Sequence, residues 1–133
     1  MIRTYTDDQA KAGIDAQLPD IEVWPNTYPG YEIEIVIPEF TSVCPKTGLP
    51  DFGKLTLRYV PDETAVELKS LKMYMVAYRN LGIFYENAVN RFLRDIVKAT
   101  NPVRATLIGE FTPRGGIMSK ITASWSRDRG YGV

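Results

Sequence analysis

Cys44 is the single cysteine of a chain that contains no histidine. It stands between Thr41, Ser42, Pro45, Thr47, Gly48 and Pro50, a composition that spells a turn and not a core strand. A carboxylate, Asp51, follows seven residues later. A thiolate attacks an electrophilic carbon, and a neighbouring acid protonates the atom that gains charge. The bland alternative is a small buried side chain beside an aspartate that caps a turn. Without histidine, Cys-His and Ser-His-Asp arrangements are excluded, and so is most zinc chemistry.

Three further clusters have chemical potential. In Val66-Glu67-Leu68-Lys69-Ser70-Leu71-Lys72, the residues Lys69, Ser70 and Lys72 fall near an expected helix start. Backbone amides there attract anions and the lysines add positive charge, which suits a phosphate-bearing ligand. A solvated lysine face explains them equally well. Glu86 lies in the first turn of a second helix, where the helix dipole favours a carboxylate. Its two oxygens also match the paired N–H donors of a guanine-like edge, and Tyr85 beside it could stack or hydrogen-bond. Arg114, in Pro113-Arg114-Gly115-Gly116, could make a bidentate contact to phosphate, although the glycines can equally serve only a turn.

The elements that must position these groups follow from periodicity. Tyr31, Ile33, Ile35 and Ile37 alternate with Glu32 and Glu34, as a half-buried strand requires. Leu55, Leu57 and Tyr59 alternate with Lys54, Thr56 and Arg58. Leu68, Leu71, Met75 and Tyr78 recur at helical spacing. Ile83, Phe84, Ala88, Val89, Phe92, Leu93, Ile96 and Val97 form one apolar stripe, which Asn101-Pro102 stops. Two alternating runs, from Arg104 to Phe111 and from Ile117 to Trp125, close the chain. The order β-β-α-α-β-β implies an α+β class: an antiparallel sheet of four strands with two helices on one face. Residues 1–30 read as an irregular, polar N-terminal arm, 31–126 as one domain, and 127–133 as a flexible, frayed tail.

The 133 residues suit one domain. Sixteen basic and sixteen acidic side chains cancel, so no global field points to nucleic acid. A lone cysteine fits a reducing, cytoplasmic setting, and no apolar run resembles a signal peptide or a membrane span.

At these residues the chain resembles the NADPH-dependent 7-cyano-7-deazaguanine reductases, nitrile reductases of queuosine biosynthesis. Glu67-Leu68-Lys69-Ser70-Leu71-Lys72-Met73-Tyr74 matches that family's signature. The Cys44 loop with Asp51, Phe84-Tyr85-Glu86 and Pro113-Arg114-Gly115-Gly116 look like it in the same order. The resemblance runs from about Tyr31 to Trp125 and is closest to the single-module form. It implies a tunnelling fold assembled edge to edge into pentameric rings, singly or paired as a decamer, with sites at subunit junctions. It implies Cys44 as the nucleophile forming a thioimide and Asp51 as proton donor, which calls for a buried acid. Val66, Glu67, Leu68, Tyr85 and Glu86 would bind the deazaguanine. Lys69, Ser70, Lys72 and Arg114 would serve NADPH, two of which are consumed per turnover. No metal, nucleic acid or membrane is implied as a partner. Tyr85 departs from the pattern, since better-known members carry histidine there, and a phenol takes no charge near neutrality.

Rival readings are an amidinotransferase-like relative using ammonia on the same nitrile, a zinc-dependent pterin or purine cyclohydrolase, and a non-catalytic ring-forming purine-binding protein. The first lacks the lysine signature found here, and the second needs zinc ligands this chain lacks. The third would need neither Cys44 nor Asp51.

Overall fold

The structure is a computed structural model and describes residues 2–133. Its main sheet has five antiparallel strands in the order β2-β3-β5-β6-β7. These are β2 (Ile33–Val43), β3 (Pro50–Val60), β5 (Arg104–Arg114), β6 (Ile117–Ser126) and β7 (Gly130–Tyr131). A separate two-stranded sheet pairs β1 (Val23–Pro25) with β4 (Thr64–Val66). The helices are α1 (Asp7–Ala10), α2 (Leu68–Ala77) and α3 (Tyr85–Thr100). The α+β class and the antiparallel sheet are as expected from the periodicity.

The apolar stripe of α3 explains the core. Ala88, Val89, Phe92, Leu93 and Ile96 are buried against the inward residues of the sheet, among them Leu55, Leu57, Tyr59, Ala105, Leu107 and Phe111. Each large apolar side chain so buried contributes about 1.5–3 kcal/mol. Asn101, at φ 44°, adopts the left-handed conformation that ends α3. Gly115 and Gly116 both have positive φ, 58° and 80°, and close the β5–β6 hairpin.

Several expectations need correction. The main sheet has a fifth strand, because the supposedly frayed tail returns as β7 against Trp125 and Ser126. Arg94 lies over the Tyr131 ring at 4.0 Å and holds it there. The N-terminal segment, expected as an irregular arm, carries two short elements and is tied to the body. Thr6 caps α1, and β1 docks on β4 with Trp24 donating its indole N–H to the Val66 carbonyl. Ile83 and Phe84 precede α3, with Phe84 at its N-cap position.

The most consequential difference is in β2. It runs on to Val43, and its register against β3 shifts between Ile37 and Phe40. Ile37 pairs with Leu55 and Phe40 with Gly53, so β2 carries one extra residue at Pro38-Glu39. The bulge changes which residues face inward from Ile33, Ile35 and Ile37 to Phe40 and Ser42. A second bulge lies in β5, where Phe111 pairs with Ser119 but Arg114 with Ile117. The strand between them, β3, carries no extra residue of its own, so Leu55, Gly53 and Asp51 share one face throughout.

Candidate active site

Phe40, Gly53, Phe111 and Ser119 form one cross-strand row. Beyond that row the two bulges bring the chemistry together. Ser42 is directly opposite Asp51, and Cys44 follows one residue after the end of β2. Arg114 reaches back from the end of β5 and donates from Nη1 to Asp51 Oδ1 at 2.6 Å. The start of α3 is fixed beside them by backbone bonds: Val43 N–H donates to the Leu81 carbonyl, and Ile83 N–H to that of Val43. Cys44, Asp51, Phe84, Tyr85, Glu86 and Arg114 therefore line a single recess of about 180 Å³.

Each wall has a local cause. The Tyr85 ring stacks on Phe111 with centroids 4.0 Å apart, and its hydroxyl donates to Ser119 Oγ at 2.9 Å. The phenol is thus held as a platform, with its proton already committed. Glu86 is exposed in the first turn of α3. Among the described residues its carboxylate accepts no hydrogen bond, so both oxygens are available to a ligand. Asp51 is buried, as a proton donor would need, but it faces a guanidinium and not an apolar wall.

Cys44 is only 9 % exposed. Burial is the largest influence on its thiol and acts upward. The Thr47 hydroxyl, the Thr47 N–H and the Lys46 N–H together outweigh it and hold the thiol below its ordinary value of 9.0, against a smaller opposing effect of Asp51. The loop that allows this is closed by two backbone bonds, Cys44 N–H to the Leu49 carbonyl and Gly48 N–H to the Cys44 carbonyl. Thr47 was legible only as a turn residue. Its signal is a hydroxyl three positions after the thiol in a proline-and-glycine loop.

The second expected group does not join this recess within one chain. Val66, Glu67 and Leu68 line a different cavity, with Trp24, Ile35 and Tyr59. Lys72 lies on a third, an apolar groove of about 320 Å³ between β2 and α2 that also carries Arg79. The amides expected to attract an anion are occupied. Glu67 is the N-cap of α2, and its carboxylate accepts from Lys69 N–H at 2.9 Å and Ser70 N–H at 2.7 Å. Those two amides, Ser70 first, hold the Glu67 carboxyl below its usual range. The Ser70 hydroxyl donates to the Glu67 carbonyl and accepts from Glu22 N–H, which ties it to the N-terminal segment. Only the lysine side chains remain free for an anion. Arg114 is likewise placed with Asp51 and not with the lysines.

Comparisons with known proteins agree on one family. The family described as "QueF-like protein" matches residues 50–129. A protein of Elusimicrobium minutum named NADPH-dependent 7-cyano-7-deazaguanine reductase is 54% identical over 124 residues, covering 92% of this chain and 94% of its own. One of the same name from Chlorobaculum tepidum is 58% identical over 111 residues, covering 82% and 95%. Among solved structures, the archaeosine synthase QueF-Like in its apo form superposes with a TM-score of 0.65 at 19% identity. It covers 70% of this chain and 91% of that one. At that identity the likeness is one of fold.

Proposed function

Because the chain belongs to the QueF-like family, we infer that it is an NADPH-dependent reductase of 7-cyano-7-deazaguanine, converting the nitrile to a primary amine. The observation that carries the mechanism is the convergence of Cys44, Asp51, Tyr85, Glu86 and Arg114 on one recess. A nitrile carbon is a weak electrophile, and a thiolate is the strongest nucleophile among side chains. The hydrogen bonds from Thr47 and Lys46 favour that thiolate.

In the proposed sequence, Cys44 Sγ bonds to the nitrile carbon as one C–N π bond opens. The electron pair goes to nitrogen, which takes the proton of Asp51, leaving a thioimide and an aspartate. Glu86 accepts from the paired N–H groups of the deazaguanine edge, and the Tyr85 ring supports its face. Keeping the substrate bound to Sγ stops the half-reduced level from escaping to water. For Asp51 to hold a proton, its contact with Arg114 must loosen as the substrate enters.

The apolar groove with Lys72 and Arg79 at its rim, and Lys69 one turn away, fits a dinucleotide with phosphate groups. Bound there, NADPH supplies hydride, two per product. A recess of about 180 Å³ falls below the ~300–1,000 Å³ common for small-molecule sites. A second copy would complete it, bringing Val66, Glu67, Leu68 and its lysines to the Cys44 recess. The free outer edges of β2 and of most of β6 suit such joining into a ring, as in a tunnelling fold. The reaction would belong to queuosine biosynthesis.

Intact mass after incubation with 7-cyano-7-deazaguanine alone tests this. An adduct of substrate mass, absent in Cys44→Ala, followed by oxidation of two NADPH per amine, is the expected result. No adduct would overturn the thioimide. An adduct with no NADPH oxidation would favour the ammonia-using alternative.

A further inference from the structure

Ser42 is fully buried, and its Oγ has no hydrogen-bond partner among the described residues. Burying a hydroxyl without a partner is unfavourable, and native interiors contain few such groups. The position makes this one informative. Ser42 and Asp51 are direct cross-strand partners on the same face of the sheet, a geometry that places Cβ atoms about 4.5–5.5 Å apart. Asp51 is turned instead toward Arg114. The carboxyl group thus has a partner in use on one side and an idle donor on the other.

We propose that Ser42 is a positioning residue for the proton transfer from Asp51, taking over the carboxyl group when Arg114 releases it. In that arrangement the Ser42 O–H donates to one carboxyl oxygen. The other oxygen carries the proton and faces the nitrile nitrogen above Cys44. As Sγ bonds to carbon, that proton moves to nitrogen, and the Ser42 hydroxyl stabilises the aspartate left behind. The hydrogen count is unchanged by Ser42, which neither gains nor loses its proton. The idle hydroxyl of the ligand-free protein is then the vacant half of a two-position acid. This inference rests on the thioimide reading, and the test separates the two.

Thioimide formation is measured by stopped mixing and intact mass across pH, without NADPH, for wild type, Ser42→Ala, Ser42→Cys and the double variant Ser42→Ala/Asp51→Asn. Iodoacetamide alkylation of Cys44 is followed in parallel, since it needs no acid. Ser42→Ala is expected to melt no lower than wild type and to alkylate at the wild-type rate. Its thioimide formation should fall about tenfold or more, with a displaced pH profile. Ser42→Cys, a weak donor of similar size, should recover part of the rate. In the Asp51→Asn background the same alanine change should cost little more. An unaltered rate and profile in Ser42→Ala, or an equal loss in both backgrounds, overturns the proposal. Should Ser42→Ala fail to fold, the same comparison is read from Ser42→Cys alone. Absence of any adduct in wild type removes the thioimide reading and this proposal with it.

Discussion

Replacing Thr47 by alanine isolates what activates the thiol. Thr47 contributes a hydroxyl and a backbone N–H to Cys44, and Lys46 contributes a second N–H. Alanine removes only the hydroxyl. A hydrogen bond to a charged group contributes about 1.5–3 kcal/mol. Thr47 is exposed, so the lower end applies, and about 1.4 kcal/mol is one pH unit. The thiol's titration should therefore move up by about one unit in Thr47→Ala. Below both midpoints the thiolate fraction drops about tenfold. A more basic thiolate is also more nucleophilic, by about threefold per unit, so the net alkylation rate falls only about threefold. The midpoint is the sharper observable. It is read from iodoacetamide alkylation of Cys44 against pH, with intact mass to confirm the site. Thr47 Oγ1 also accepts from Leu49 N–H at 3.2 Å, so loop distortion must be controlled. Thr47→Ser keeps both bonds and should titrate like wild type. A midpoint that stays put in Thr47→Ala, or moves equally in Thr47→Ser, refutes the assignment.

Two other outcomes follow from polar groups outside the recess. The Glu67 carboxyl is held below its ordinary value of 4.5 by the Ser70 and Lys69 amides. A carboxyl lowered by folding adds stability above its unfolded value, and this is lost as pH falls through the folded value. Denaturant unfolding between about pH 3 and pH 6 should therefore show a steeper acid loss in wild type than in Glu67→Gln; identical slopes would discount the cap. Tyr74 donates to Asp95 Oδ2 at 2.5 Å and accepts from the Tyr78 hydroxyl at 2.8 Å, and burial pushes both phenols well up. Tyr74→Phe leaves the buried Tyr78 hydroxyl without its partner, while Asp95 keeps Arg91 Nε at 3.0 Å; the cost of about 1–3 kcal/mol should register in calorimetry as a melting point several degrees lower.

Much of this was legible from residue order. The alternation of β3 and β6 and the stripe of α3 are period signals strong enough to survive tertiary context. Cys44, Asp51, Tyr85 and Glu86 were legible as a group through the family resemblance. The placement of Arg114 was not, because it depends on a register shift at Thr112-Pro113 that periodicity does not encode. The same holds for Ser42, which shares a face with Asp51 only because Pro38-Glu39 adds a residue to β2. A proline inside each strand was the available hint. The cap formed by Glu67 is encoded as an acceptor three residues before Ser70, in a stretch whose lysines equally suit an anion. β1 is three residues long and contains Pro25, too short for any pattern to emerge.

The N-terminal segment carries a consequence for how the molecule matures. Lys46 Nζ donates to the Thr4 carbonyl, and Tyr5 packs edge-on against Phe84, a wall of the Cys44 recess. Asn87 and Arg91 of α3 donate to the carbonyls of Ala10, Gly13 and Ile14, across 77 or 78 positions of chain. Residues 3–14 are made well before α3, yet their carbonyl partners Asn87 and Arg91 exist only once α3 does. Closing loops of that length is slow compared with forming a helix or a hairpin. Arg114 arrives later still, after the thiol, its loop and Asp51 are all made. A nascent chain thus holds Cys44 beside an incomplete recess until Arg114 has been made.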